Sequence, residues 1–263
     1  MKSLWDFQKM KNEKRKITMV TAYDFSMGKI LEDTHVDMIL VGDSVAMVVH
    51  GYENTLHADM NMMEMHTKAV RRGALNSFIV ADMPFLSFRK GVHEAVTNAG
   101  ILMKAGADAV KVEGLKGHED VVCGLIESGI PVMGHLGLTP QSIFQLGGFK
   151  LQGKTLEQQK IIREDAQKLQ ELGAFSVVLE CVPEKLAQDI SLKLDIPVIG
   201  IGAGRYVDGQ VLVSHDLLGA NPKFKPKFVR TYQTQYENNI KAILEFDKDV
   251  KNGSFPNNSE IYQ

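Results

Sequence analysis

Four acidic residues stand at or near the ends of apolar runs: Asp43 in VDMILVGDS, Asp82 in FIVADMP, Glu113 in AVKVEG and Glu180 in FSVVLEC. Lys111 precedes Glu113 by two residues, which in a strand puts a cation and a carboxylate on one face. His135 lies late in IPVMGHLG, and Asp216 ends QVLVSHD. Carboxylates gathered in one pocket without a counter-charge repel and raise one another's pKa values. A divalent cation relieves that conflict. All-oxygen ligation suits Mg2+, which takes a few carboxylates and leaves positions for water and an oxygen-rich substrate. Zinc fits less well, because no HxH, HExxH or CxxC pattern occurs among the histidines and cysteines. A Mg2+ held by Asp43, Asp82 and Glu113, with Lys111 beside it, could chelate a 2-oxo acid and polarise its ketone. It would then stabilise the enolate formed when a base removes the neighbouring carbon-bound proton. Glu180, on a separate strand, is the candidate base. Blander readings stay open for each residue. Any single Asp could cap the helix that follows it, His135 could be a packed core histidine, Asp216 could be structural, and Cys181 could be a small apolar filler.

Eight short, β-branched apolar runs could carry these residues: 17–24, 36–44, 78–84, 109–114, 130–137, 175–181, 196–204 and 210–216. Their nearly continuous apolar character is that of parallel strands covered on both faces. Helical patterns fall between them over 61–74, 93–106, 119–129, 156–173 and 183–194, the last opening on Pro183. Repeated βα units give a doubly wound sheet or a closed barrel, and eight strands in 263 residues favour the (β/α)8 TIM barrel. In a barrel the C-terminal strand ends converge on one face, so the scattered acids would meet there. Residues 45–60 read as an excursion over that face. No Gly-, Ser- or Pro-rich linker divides the chain, so it reads as one domain over 1–263. That domain has an N-terminal extension (about 1–16), a charged last helix (about 227–250) and a C-terminal surface tail (about 251–263).

Composition closes other routes. A net charge of −2 gives no basic footprint for nucleic acid. No apolar run reaches the roughly 18 residues of a membrane span, the N-terminus does not read as a secretory signal, and two distant cysteines do not form a disulfide framework. A reducing cytoplasm is the expectation. IGIGAG (199–204) lacks the GxGxxG spacing and follows the seventh strand, not the first.

The ordered series TAYD (21–24), VGDS (41–44), HTKAVRRGA (66–74), ADMPF (81–85), AVKVEG (109–114), GHLGLTPQ (134–141), VLEC (178–181), IPVIGIGAG (196–204), DGQVLV (208–213) and HDLLG (215–219) closely resembles the ketopantoate hydroxymethyltransferase family over nearly the whole chain. The resemblance implies hydroxymethyl transfer from 5,10-methylenetetrahydrofolate to 3-methyl-2-oxobutanoate, giving 2-dehydropantoate (ketopantoate) for pantothenate and coenzyme A synthesis. It implies a barrel of the phosphoenolpyruvate/pyruvate superfamily type and a cytoplasmic homodecamer. Its residue pattern matches Asp43, Asp82 and Glu113 to the Mg2+ site. Asp43, Ser44, Asp82 and Lys111 match the oxo-acid site, Glu180 matches the proton acceptor, and His135 and Tyr23 stand behind them. The chain departs from the family's usual pattern at Ala46, at His57–Asp59 (TLHAD for TLPVT) and at Leu86–Phe88 (PFLSF for a PFGSY-like run), all in loops that shape the pocket mouth. Two rival readings are a Mg2+-dependent C–C lyase or aldolase of the same superfamily, and a non-catalytic barrel that binds an oxo acid.

Overall fold

The computed structural model describes residues 2–222 and 226–262. Residues 1 and 263, the outermost positions of the expected N-terminal extension and C-terminal tail, lie outside the described residues. Among the described residues, eight parallel strands close into a barrel in sequence order: β1 (Ile17–Thr21), β2 (Met38–Val41), β3 (Phe78–Asp82), β4 (Ala109–Glu113), β5 (Val132–Gly137), β6 (Ser176–Glu180), β7 (Val198–Ile201) and β8 (Gly209–Leu212), with β8 pairing back onto β1. All eight expected strands form. All but β5 stop earlier than their apolar runs, so Asp43 and Ser44 lie in the turn that follows β2, while Asp82, Glu113 and Glu180 are the last residues of their strands.

Alternation along the strands builds two apolar layers. Val80, Ala109, Met133, Val178 and Ile199 fill the barrel interior. Ala81, Val110, Val112, Val132, Val177 and Leu179 face the helical shell. Lys111 and Glu113 follow Ala109 at even spacing, and Glu180 follows Val178, so the charged ends share the interior face. His135 follows Met133 on the same face, and Gly134 between them makes close helix packing possible. A Cβ there would meet Leu169 of the helix Leu156–Leu172 at 2.4 Å.

The N-terminal extension is more than an appendage. It carries the helix Leu4–Asn12, whose first turn is fixed by Asp6 accepting from the backbone N–H and hydroxyl of Ser3, each at 2.7 Å. Phe7 and Met10 of that helix belong to the barrel-interior cluster, and Phe7 packs edge-on against Phe78 at the start of β3 with centroids 5.0 Å apart. It closes the N-terminal mouth and leaves the opposite face for chemistry.

The excursion over 45–60 holds the short helix Val45–Val48 and a 3-10 turn, Thr55–His57. Asp59, in the departing TLHAD run, caps the helix Met60–Gly73 by accepting from the Met62 N–H at 2.8 Å. His57 in the same run stacks on Tyr52, with centroids 4.4 Å apart. The residues group into two compact units, Met1–Val213 with the barrel and Ser214–Gln263. The second unit carries the helix Gln235–Asn252, which begins later than the expected 227 and has no buried residue to tie it to an apolar core. Among the described residues no helix is long and apolar enough to cross a membrane.

Candidate active site

Strand register explains how residues far apart in sequence meet. Asp82 is level with Lys111 across β3 and β4, and Glu113 is level with His135 across β4 and β5. Glu180 ends β6 opposite Gly137. Asp43, Asp82, Lys111, Glu113 and His135 are all buried. Lys111 Nζ lies 3.0 Å from Asp82 Oδ1 and 3.9 Å from Glu113 Oε1, so its closer partner is on the neighbouring strand rather than two residues along its own. Its Nζ is also 3.2 Å from His135 Nδ1.

His135 joins two carboxylates. Its Nδ1 is 3.3 Å from Glu113 Oε1, and its Nε2 is 3.2 Å from Glu180 Oε2. Burial and the Lys111 ammonium both act to lower the imidazole's pKa, but Glu113 and Glu180 outweigh them and push it up to about 9. Burial works against the Lys111 charge as well, yet Asp82, Glu113 and Asp43 hold its pKa above the ordinary lysine value. For Glu113, burial is outweighed by His135 and Lys111, and its pKa lies below the usual range. Asp43 goes the other way: burial, then the negative charges of Asp82 and Glu113, raise it well above an ordinary aspartate.

The turn after β2 is built to bring Asp43 in. The Asp43 N–H donates to Asp82 Oδ2 at 3.0 Å. Gly42 keeps this turn tight, since a Cβ at that position would fall 2.8 Å from Ser44 Oγ and 3.6 Å from Asp82 Oδ2. Ser44 Oγ is 2.8 Å from the hydroxyl of buried Tyr23. The Tyr23 carbonyl is in turn 2.5 Å from His66 Nδ1, and His66 Nε2 is 2.9 Å from His50 Nε2. Tyr23 therefore stands behind Ser44. On the far side, Cys181 takes up a left-handed backbone (φ 47°) directly after Glu180, where the chain leaves β6. Its thiol, pushed up to about 11 by burial and then by Glu180, is a poor nucleophile.

One residue of the site escaped the sequence reading. Gln141, buried in the turn Pro140–Ser142, donates its amide to Asp43 Oδ2 at 2.8 Å and to the Met83 carbonyl at 2.9 Å. Its backbone N–H donates to Glu113 Oε2 at 2.9 Å. It ties Asp43 of the turn after β2 and Glu113 at the end of β4 to a third segment, the turn after β5. A glutamine after Thr-Pro gives no sign of this, because its partners are 58, 98 and 28 residues away.

The donor set is rich in hard oxygen. Among the described residues no group of three or more His, Cys, Asp or Glu side chains is gathered as a ready metal centre, and Asp82 Oδ1 faces the Lys111 ammonium. Glu113 Oε1 lies against His135 in turn, and Asp43 is held towards its neutral form by burial and then by Asp82 and Glu113. Lys111 and His135 offset part of the negative charge of Asp43, Asp82, Glu113 and Glu180, and carboxylate oxygens suit a small hard cation.

The chain is 52% identical over 262 residues to the 3-methyl-2-oxobutanoate hydroxymethyltransferase of Bdellovibrio bacteriovorus, with all of both chains covered. It is 55% identical over 250 residues to that of Thermosipho melanesiensis, covering 95% of each. Among solved structures, a phosphonopyruvate hydrolase in complex with oxalate and Mg2+ superposes with a TM-score of 0.63 at 11% identity, covering 99% of this chain and 93% of that one. A 2,3-dimethylmalate lyase of the PEP mutase/isocitrate lyase superfamily gives 0.59 at 12% identity, over 98% and 91%. These two show the fold. The family model described as ketopantoate hydroxymethyltransferase matches residues 2–258, and the chain belongs to that family.

Proposed function

We propose that this chain forms ketopantoate by transferring a hydroxymethyl unit from 5,10-methylenetetrahydrofolate to 3-methyl-2-oxobutanoate. The observation that carries the reading is a Glu180–His135 pair facing a buried cluster of three carboxylates and one ammonium, in a chain of this family. The substrate's carboxylate would be received by Lys111 and by the Ser44 hydroxyl, which Tyr23 orients. Glu180 takes the proton from C3. His135, with Nε2 3.2 Å from the Glu180 carboxylate, orients that base and balances its charge. The electron pair left on C3 forms the new bond to the donor's methylene carbon. Both carbon–nitrogen bonds of that carbon break, water supplies the hydroxyl, and tetrahydrofolate leaves with the balancing protons.

Asp43, Asp82 and Glu113 fit a Mg2+ ion by donor type, as buried carboxylates gathered from three neighbouring strand ends. When bound, such an ion supplies positive charge to the oxo acid's oxygens and makes C3 more acidic. The same reading implies a homodecamer in the cytoplasm.

Deuterium exchange at C3 of 3-methyl-2-oxobutanoate tests the base. Glu180→Gln should slow exchange by about 10²–10⁴-fold, the usual contribution of a positioned general base, with oxo-acid binding nearly intact. Equal exchange in variant and wild type would remove Glu180 from that role.

A further inference from the structure

The excursion after β2 carries the Ser44 hydroxyl and then, just past the helix Val45–Val48, the exposed imidazole of His50. His66 meets that imidazole from the helix Met60–Gly73, where it lies on the buried face with Met63, Thr67 and Val70. The two Nε2 atoms are 2.9 Å apart and the ring centroids 5.2 Å apart, so the rings meet end to end. That is the geometry of a hydrogen bond. Two lone pairs aimed at a shared metal ion would instead converge at an angle on a third point.

The direction of each bond follows from what its ends can do. The Tyr23 carbonyl only accepts, so His66 Nδ1 is the donor to it. In the neutral imidazole Nε2 is then the acceptor, and His50 Nε2 donates to it. The contacts close into a ring. Tyr23 reaches Ser44 Oγ with its hydroxyl and His66 with its carbonyl. His50 returns to the excursion itself, its N–H donating to the Val45 carbonyl at 3.2 Å, next to Ser44. His66 therefore holds the segment that carries the hydroxyl from both ends. Its own place is fixed as well. The helix Phe25–Glu32, which Asp24 caps by accepting from the Met27 N–H at 2.7 Å, packs closely on the helix Met60–Gly73. A Cβ on Gly28 would fall 2.7 Å from the Val70 carbonyl.

We infer that His66 and His50 are positioning residues for the oxo acid: acting through Tyr23, they hold the Ser44 hydroxyl where the substrate's carboxylate meets it. The inference rests on the reading of Ser44 above. A serine hydroxyl turns freely about its Cα–Cβ bond, and a bond from Tyr23 selects one orientation only when the tyrosine is itself fixed. His66 fixes it at a backbone atom, from the helical shell, while His50 fixes the ring of His66 and the far end of the excursion. Two histidines set back from the pocket thus decide where a substrate-binding hydroxyl points.

The experiment follows C3 deuterium exchange of 3-methyl-2-oxobutanoate with Mg2+ and without folate, so that only oxo-acid binding and proton removal are read. His66→Leu should raise the KM for the oxo acid by about 3–10-fold, the worth of one hydrogen bond, with the exchange rate at saturation within about twofold of wild type. His50→Ala, at an exposed position where folding is not at risk, should raise it by about threefold. His66→Asn, whose amide nitrogen stands near the place of Nδ1, should restore the KM to within about twofold of wild type. In a Ser44→Ala background, which raises the KM by itself, His66→Leu should add nothing further. A wild-type KM in both His66→Leu and His50→Ala would overturn the positioning role and leave Ser44 as the contact. So would an equal rise from His66→Leu with and without the Ser44 hydroxyl, since His66 would then act by another route. Should His66→Leu fail to fold, His50→Ala decides alone, a wild-type KM overturning the role. An unchanged KM in Ser44→Ala would overturn the reading of Ser44 and this inference with it.

Discussion

Gln141 offers the sharpest test of how this site is held. Replacing it with leucine keeps most of the volume and removes two donated hydrogen bonds. One goes to an Asp43 carboxylate oxygen at 2.8 Å and one to the Met83 carbonyl at 2.9 Å, both inside buried surroundings. A hydrogen bond contributes about 0.5–1.5 kcal/mol to a neutral acceptor and about 1.5–3 kcal/mol to a charged one, so the variant should lose about 1–3 kcal/mol with Asp43 neutral and about 2–4.5 kcal/mol with it ionised. The Gln141 N–H to Glu113 survives, because it is backbone. Asp43 also responds. Its folded pKa already lies above its unfolded value, so the folded state binds the extra proton and stability falls as pH rises from near 4 through the folded pKa. Gln141 is one of the groups pulling that pKa down, so its removal extends the fall to higher pH. Urea unfolding of chelator-treated protein at pH 5 and pH 8 reads both effects, with an unchanged m-value marking a true stability change. A loss below about 0.5 kcal/mol at both pH values would refute the claim that Gln141 ties Asp43 in place, since that is the range of neutral surface substitutions.

Two further outcomes follow from the same geometry. His135, raised to about 9 in the fold against an ordinary 6.5, should contribute about 3 kcal/mol of stability to metal-free protein. That contribution is fully present below about pH 6.5 and is lost as pH rises through about 9. His135→Gln should therefore flatten the stability profile between those values, and an unaltered slope would show that the imidazole carries no raised pKa. Phe7→Ala should cost about 3–5 kcal/mol in urea unfolding, the usual price of emptying a fully buried aromatic site. A cost under about 1 kcal/mol would mean the N-terminal helix does not close the barrel.

The sequence by itself determined the barrel and the list of charged strand ends. Nearly continuous apolar runs read as parallel strands under helices, and eight of them in 263 residues favoured a closed barrel over a doubly wound sheet, which the structure forms. Even spacing already put Lys111 and Glu113 on one face, because the pleat alternates regardless of what surrounds it. The ends of the elements were less legible. Nothing local marks the N-terminal helix as part of the core, since Phe7 and Met10 are buried by strands that arrive later in the chain. Partnership was decided only by the tertiary structure. The Lys111 ammonium pairs most closely with Asp82, because the β3–β4 register sets those two side by side. His135 became a bridge between Glu113 and Glu180 through two more registers. Gln141 joined the site from a turn with no chemical signature. Residue type and periodicity are local properties, whereas distances between charges are set by how strands register around a closed barrel.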